Sequence, residues 1–408
     1  MSADRISLVG GTFIDGHCHP LFAGRELLGA ILHECTDVNQ IAAQIRSLCS
    51  RKPELNWLDL SAVVAGSSIA KTLDRNALDA LVSDIPLVIH TDDHHSIVVN
   101  SKALAVAGYS DRAPLVSGGR FEVIADGKPN GWIHEYVAMS LIYEHQPKPT
   151  LDEDVAALLK AQELLLSLGI GEVQDAWIDP GMPETYIAAL QRDLLRIRVD
   201  LATRIKPESW QTDLDFAVST RSKLRTLDSD LLSANTVKLF IDGVHASGTA
   251  FLLHDSSTSS LWNNADLLEM ALQADSAGFE LHFHACGDAA VRTAIRAVEA
   301  VIAANPNNNR KPVIAHADQI AEDDIADLAR LGITINAQPA WLDESKPDWH
   351  PFRKLLDAGV RLTFGSDWPV SSPDPRAGLA HLKAMGELNP AWRLSDEEAL
   401  ECYGFVAR

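Results

Sequence analysis

The chain has 408 residues, of which 46% are hydrophobic and 22% charged, and its formal net charge is -21. This length suits either one large α/β barrel with insertions or two domains. The acidic balance argues against nucleic acid or an anionic membrane as the main partner, because both would repel such a surface.

Cysteine usage and hydropathy bear on the compartment. The chain has 5 cysteines, an odd number, without a Cys-x-x-Cys pair, which argues against a disulfide framework and for a reducing compartment. The N-terminal stretch lacks the pattern of a signal peptide, and we find no run of about 18 apolar residues that would span a bilayer. We therefore expect a cytoplasmic protein.

The first predicted element is a short strand that carries two histidines. Phe13 and Ile14 are the apolar residues of this strand, and His17 and His19 follow in the sequence Gly-Thr-Phe-Ile-Asp-Gly-His-Cys-His-Pro. Residues i and i+2 of a strand point to the same side, so both imidazoles can reach one point, which suits a metal ion. The alternative is an ordinary pair of surface or core histidines.

Residues 21–145 form a predicted insertion after this strand. Helices are expected at 40–48 and 75–82, and strands at 57–65 and 86–90, followed by the polar cluster 91–95. The Gly-, Pro- and Ser-rich residues 113–130 predict a loop or hairpin. The pattern of residues 132–143, which include Glu135, predicts a helix.

From residue 151 onward, helices and strands alternate. An amphipathic helix is predicted at 152–168, with Gly169 as its C-terminal cap. With the opening strand we count eight strands, which begin at Phe13, Gly171, Ile197, Thr236, Phe279, Pro312, Ile333 and Leu362. Eight such units predict a (β/α)8 barrel of the α/β class. The alternative, an open doubly wound sheet, lacks a Gly-x-Gly-x-x-Gly motif after a strand.

Polar residues mark the ends of five predicted barrel strands: His17, His19, Lys238, His282, His284, His316 and Asp367. Because lysine and aspartate are rarely buried without a partner, these residues indicate a shared metal centre. His282 lies one layer deeper than His284 and is expected to be a hydrogen-bonded barrel histidine. Lys238 suits a metal if carbon dioxide has carbamylated its amine; otherwise Asp242 or Asp367 would hold it. Asp367 could also be a helix cap.

Seven stretches carry a family resemblance that spans most of the chain. They lie at residues 11–20, 95–104, 131–135, 237–243, 284–290, 314–317 and 364–370. Taken together and in this order, these stretches resemble those of the amidohydrolase superfamily, and within it the branch of YtcJ-like proteins and N-substituted formamide deformylase. The resemblance implies a (β/α)8 barrel with one or two divalent metal ions, usually zinc.

The same resemblance implies a role for each site residue. His17 and His19 would bind the first metal, carbamylated Lys238 would bridge, and the histidines at 284 and 316 would bind the second. Asp367 would contact the first metal and the attacking water as the catalytic acid–base. The residues implied in substrate binding are His95, Asn100, Glu135 and Trp368.

The function expected from this resemblance is hydrolysis of a C–N bond, of amide or formamide type, in a small molecule by metal-activated water. The alternatives are a lactone or ester hydrolase on the same site and a catalytically inactive, metal-stabilised binding protein. Whether the protein forms a homodimer is left open. Relatives carry a small β-sandwich beside the barrel; only 16 residues precede His17 here, so we expect this sandwich to be missing or truncated.

Overall fold

The computed structural model of the chain describes residues 11–116, 118–404 and 406–407. Residues 1–10, where we predicted no signal peptide, lie outside the described residues. The strands are β1 (Gly11–Cys18), β2 (Leu58–Val63), β3 (Leu87–Thr91), β4 (Ser96–Val99), β5 (Arg120–Val123), β6 (Pro129–His134), β7 (Ile170–Ile178), β8 (Arg198–Ile205), β9 (Leu232–Phe240), β10 (Glu280–Ala285), β11 (Val313–His316), β12 (Thr334–Ala337), β13 (Arg361–Phe364) and β14 (Val406–Ala407).

The α-helices are α1 (Pro20–Leu28), α2 (Val38–Arg51), α3 (Arg75–Leu81), α4 (Ser101–Ala107), α5 (Tyr136–Tyr143), α6 (Leu151–Ser167), α7 (Met182–Gln191), α8 (Trp210–Arg225), α9 (Asn264–Ser276), α10 (Asp288–Ala304), α11 (Ile325–Arg330), α12 (Phe352–Asp357), α13 (Pro375–Leu388) and α14 (Asp396–Cys402). Within the described ranges, no helix combines the length and the apolar character needed to cross a membrane.

The chain divides into two compact units. The barrel unit comprises Met1–Leu21 and Leu158–Arg408, and the inserted unit comprises Phe22–Ala157. The predicted insertion at 21–145 falls in the second unit apart from its first residue, and that unit continues to Ala157. Its contribution to a substrate pocket stays a prediction.

The barrel unit is built on a nine-stranded sheet in the order β13-β12-β11-β10-β9-β8-β7-β1-β14. β14 is antiparallel to β1, and the other eight strands are parallel to their neighbours. The Asp367 amide donates to the His17 carbonyl at 2.7 Å, and the His19 amide donates to the Trp368 carbonyl at 2.8 Å. These bonds hold the chain after β13 against the end of β1, so the sheet is nearly closed. The predicted eight-stranded barrel is confirmed.

Helix α10 illustrates how the barrel's helices form. It carries apolar residues at helical spacing, and Val291, Ile295 and Val298 are buried on one face, while Glu299 lies on the exposed side. The predicted helix at 152–168 is observed as α6, and Gly169 follows it with a φ of +83°, the left-handed conformation of a helix cap.

The inserted unit contains a mixed five-stranded sheet in the order β2-β3-β4-β6-β5. β2 and β3 are parallel, and the remaining pairs are antiparallel. Successive residues of its central strands enter opposite hydrophobic clusters: Ile89 and Val98 belong to one, and Val88 and Val99 to the other. Both faces are therefore covered. Among the described residues the strands form these two sheets only, and no separate β-sandwich is present.

The helix predicted at 132–143 is wrong in its first part. Residues 129–134 form β6, with buried and half-buried residues in alternation, and the helix begins only at Tyr136. Gly131 and Glu135 have φ values of +109° and +66°. These values are incompatible with a right-handed helix, so the helix cannot extend back through them.

The two ends of the inserted unit lie side by side. A Cβ atom added to Gly24, near the start of the unit, would lie 2.0 Å from the carbonyl oxygen of Ala157, its last residue. Only glycine permits this close approach of the two backbones. The unit therefore begins and ends at one place.

Candidate metal centre

His17, at the end of β1, has its ring held from one side. Its Nδ1 lies 2.9 Å from Nε2 of His282, so the deeper histidine is a hydrogen-bonded barrel residue, as we predicted. Its Nε2 lies 3.3 Å from Oδ1 of Asp367 and 3.4 Å from Nζ of Lys238. Burial, with the nearby lysine, holds the pKa of His17 well below its usual range. The ring is therefore neutral, the form that binds metal ions.

His19 lies between two carboxylates. Its Nε2 is 2.9 Å from Oδ1 of Asp367, and its Nδ1 is 3.9 Å from Oδ1 of Asp175, a fully buried residue of β7. Burial lowers the pKa of His19, but its interactions with the two carboxylates outweigh that effect and raise it to about 9. A cation in place of the ring proton would satisfy the same carboxylates.

Asp367 is placed by an unusual backbone conformation. Its φ is +55°, and its amide donates to the His17 carbonyl. Its carboxylate faces His17 of β1 and His19, which follows the strand. Burial alone would raise the pKa of Asp367, but the contacts with His17 and His19 hold it well below its usual range. The carboxylate is thus ionised.

Lys238 of β9 is fully buried, and it forms no ion pair within 4.0 Å in the described part of the chain. Its nearest polar partner is Nε2 of His17 at 3.4 Å. Asp242, which we considered as its partner, instead accepts hydrogen bonds from the amides of Phe251, Cys286 and Gly287. Burial lowers the pKa of Lys238 to about 7. Burying an unmodified ammonium group without an ion pair is costly, and the carbamate predicted at Lys238 stays a prediction.

His316 and His284 approach from the neighbouring strands, with ring centroids 4.6 Å apart. Nδ1 of His316 lies 2.9 Å from Oε1 of Gln338, and the indole of Trp341 stacks on its ring at 5.2 Å. Burial, followed by the neighbouring His284, holds the pKa of His316 well below its usual range. Gln338 and Trp341 therefore hold the ring of His316. Both histidines lie at the end of their strands, as His17 does in β1.

This donor set fits a divalent metal ion. His17, His316 and Asp367 each offer a donor atom, these atoms lie within 4.8 Å of one another, and all three residues are buried. Neutral imidazole nitrogen and ionised carboxylate oxygen are donors that zinc takes in proteins. The predicted ligands come from β1, β9, β10 and β11 and from the chain after β1 and β13. The carboxyl ends of these strands form the edge of a (β/α)8 barrel that carries its chemistry, and the role of the full set in metal binding stays a prediction.

The predicted substrate-binding residues have different surroundings. In the inserted unit, Nδ1 of His95 lies 2.9 Å from Oε2 of Glu135. Trp368 is buried, and its backbone bonds to His19 and Ser366. For these three residues a role in substrate binding stays a prediction.

Asn100 has a structural role that its motif did not reveal. Its Oδ1 accepts from the amides of Leu87 and Ala103, and its Nδ2 donates to the carbonyls of Val82 and Ile85. The residue caps helix α4 and is fully buried. Its amide has no hydrogen-bonding group left to offer a substrate, so we do not assign it to the substrate pocket.

The sequence analysis missed three supporting contacts: Asp175 beside His19, Gln338 beside His316, and Asp242 beside His284. Asp242 was considered only as a partner of Lys238, whereas its Oδ1 lies 3.3 Å from Nδ1 of His284. The available signal was position, because each lies within or just after a barrel strand among apolar neighbours. Position alone does not tell which ring a carboxylate or amide orients.

Comparisons with known proteins agree with this geometry. A model of the amidohydrolase family matches residues 9–404. The chain is 26% identical to YtcJ of Bacillus subtilis over 405 residues, which cover 92% of this chain and 74% of that protein. It is 24% identical to the N-substituted formamide deformylase of Arthrobacter pascens over 430 residues, which cover 96% of this chain and 77% of that protein. A metal-dependent hydrolase from Pyrococcus horikoshii has the same fold, with a TM-score of 0.72 and 20% identity over 96% of this chain and 79% of that chain.

Proposed function

The chain belongs to the amidohydrolase family, and on this premise we propose that it hydrolyses a C–N bond, of amide or formamide type, in a small molecule. The observation that supports this proposal most strongly is the position of Asp367. Its ionised carboxylate faces His17 and His19 at the end of the barrel. The similarity to a formamide deformylase favours a C–N bond over an ester or lactone.

The residues that would hold metal ions are those that the family resemblance implies. We propose that His17, His19 and Asp367 hold one divalent ion, and that His284 and His316 hold a second. Carbamylated Lys238 would lie between them, and the nitrogen and oxygen donors favour zinc. A divalent ion of this kind supplies Lewis acidity and makes water a nucleophile near neutral pH.

The protein's own residues would handle the protons. Asp367 is ionised, so its carboxylate can accept the proton of the attacking water. Its position is fixed by the hydrogen bond from its backbone amide to the His17 carbonyl and by the contact of its carboxylate with the ring of His19. The same carboxylate then returns the proton to the nitrogen of the departing amine, which leaves as a neutral molecule.

Asp367→Asn tests this assignment. We expect turnover to fall by roughly 10²- to 10⁴-fold on a panel of N-formyl amines, N-acyl amines, esters and lactones, because the amide cannot accept the proton. Bound metal is measured by elemental analysis in parallel. Asp374→Asn is the control, since Asp374 caps helix α13 and lies 3.7 Å from Arg376, and we give it no part in the reaction. Unchanged turnover in Asp367→Asn at full metal content would contradict its role, and turnover of esters alone would contradict the bond class.

Lys238→Ala tests the carbamate. We expect this variant to lose bound metal, because it removes the bridging anion from a fully buried position. Formate or acetate added at high concentration should restore part of the metal content, since a small carboxylate fits the space vacated by the carbamate. The contradicting result is full metal content in the variant without added carboxylate.

A further inference from the structure

Cys286 lies beside the metal centre and has no part in the function proposed above. It follows β10 two residues after His284, and its Sγ lies 3.8 Å from Nε2 of that histidine. The residue is buried, with 1% of its surface exposed. A sulfur atom therefore lies next to a histidine ring that we assign to a metal ion.

Asp242 fixes the relative position of these two groups. Its Oδ1 lies 3.3 Å from Nδ1 of His284 and accepts the amide of Cys286 at 3.0 Å. Its Oδ2 accepts the amide of Gly287 at 2.9 Å. One carboxylate thus holds the backbone at Cys286 and Gly287 and lies beside the ring of His284. Nε2 of this ring is the nitrogen that faces the thiol.

The distance between sulfur and nitrogen suits two ligands of one ion. Zinc binds nitrogen at about 2.0–2.1 Å and sulfur at about 2.3 Å, so the edge between them in a tetrahedral site is about 3.5 Å. The observed separation is 3.8 Å. Asp242, His284 and Cys286 together offer donor atoms that lie within 4.8 Å of one another. A small movement of the thiol would bring the distance between sulfur and nitrogen to that of two ligands of one zinc ion.

The neighbours of the thiol are polar. Asp242 accepts the amide of Cys286 at 3.0 Å, and Nε2 of His284 lies 3.8 Å from its Sγ. A cysteine that only fills the core packs against apolar groups. This thiol faces charged groups at the same end of the barrel as the histidines.

We propose that Cys286 is a thiolate ligand of the metal ion held by His284. The inference rests on the proposed metal centre and extends its ligand set. As the bond between Sγ and the ion forms, the thiol proton is released to solvent. A thiolate favours zinc, cobalt or cadmium over magnesium or manganese, because it is a soft ligand.

Cobalt substitution of the full-length chain tests the proposal. A thiolate bound to Co²⁺ gives a charge-transfer absorption band in the near ultraviolet. We expect this band in the wild type and in Cys18→Ser, and its loss in Cys286→Ser. Cys18 is a matched control, because it is also buried and lies between His17 and His19, with its Sγ 3.8 Å from the carbonyl oxygen of Gln174. We also expect Cys286→Ser to bind zinc roughly tenfold or more weakly.

X-ray absorption at the zinc edge of the unmodified protein gives an answer that does not depend on a variant folding. We expect one sulfur neighbour at about 2.3 Å from zinc. Metal-loaded protein without this sulfur and without the cobalt band overturns the inference but leaves the metal centre intact. Loss of the band in Cys18→Ser instead of Cys286→Ser also overturns it. Protein that binds neither zinc nor cobalt overturns the proposed function itself.

Discussion

His316 and Asp367 share a backbone conformation that is rare outside glycine. Their φ values are +72° and +55°. A non-glycine residue in this region costs on the order of 1–3 kcal/mol and persists only where its surroundings hold it. Gln338 holds the ring of His316, and the His17 carbonyl holds the amide of Asp367. The strain thus lies on residues that we assign to the reaction.

Asn100 shows how one side chain can stabilise several segments. In Asn100→Ala, helix α4 loses its cap, and the Leu87 amide and the Val82 and Ile85 carbonyls lose their partner in a fully buried place. We expect a loss of about 2–4 kcal/mol in the free energy of unfolding, measured in urea.

Asn263→Ala is the control for this loss. Asn263 caps helix α9 with the same type of bond, to the amide of Asp266, but it is exposed. Its replacement should cost only about 1 kcal/mol. Equal losses in the two variants would contradict the buried role of Asn100.

At the scale of elements, the parallel register of the barrel strands brings the donors together. Lys238 of β9 pairs with His282 of β10, and Ala285 of β10 pairs with His316 of β11. His284 lies two residues beyond His282 and therefore points to the same side of the sheet. Neighbouring strands thus deliver one donor each to a single edge.

This register explains how much of the site could be predicted from the sequence. The alternation of apolar strands with helices marked the barrel, and polar residues at the strand ends marked the donors, because both follow from local patterns. The helix predicted at 132–143 was wrong in its first part because Gly131, within β6, and Glu135, just after it, have positive φ values, which hydropathy does not reveal. The structural role of Asn100 was hidden because its partners lie up to 18 residues away.

An ion pair between β2 and β3 makes the inserted unit sensitive to pH. Nε2 of His90 lies 2.7 Å from Oδ1 of Asp59. Burial lowers the pKa of His90, but the pairing with Asp59 outweighs it and raises the pKa above its usual value. The folded state therefore binds the proton more tightly than the unfolded state. The resulting stability is fully present below about pH 6.5 and is lost as the pH rises through the folded pKa.

We expect the free energy of unfolding to fall more steeply in the wild type than in His90→Gln as the pH rises above about 6.5. Unfolding in urea at each pH measures both slopes. His33→Gln, at an exposed histidine of the same unit, should behave like the wild type. Identical slopes in the wild type and His90→Gln would show that the pair contributes nothing.

At the scale of the whole molecule, the metal centre links stability to metal binding. The chain has a net charge of -21, and its barrel buries Asp367, Lys238 and several histidines together. A bound cation would offset the cost of burying these groups. Metal removal should therefore weaken the fold as well as abolish activity.

We expect a chelator to lower the melting temperature, and added zinc to restore it. A free metal concentration of about 100 times the Kd corresponds to roughly 2.7 kcal/mol of stability. Thermal unfolding with and without chelator measures this difference. His17→Ala should lose most of the response, because it removes a donor of the proposed site. A response of equal size in that variant would place the stabilising ion elsewhere.

The adjacent ends of the inserted unit, Gly24 and Ala157, have a consequence for the evolution of this barrel. A segment whose ends meet can be gained, lost or exchanged without moving the strands on either side, because bridging a short gap costs little chain entropy. The inserted unit can thus be exchanged as a whole, and we call such an exchangeable segment a cassette. Barrels with one set of metal ligands could diversify by exchanging such cassettes, while the strand ends that carry the chemistry stay unchanged.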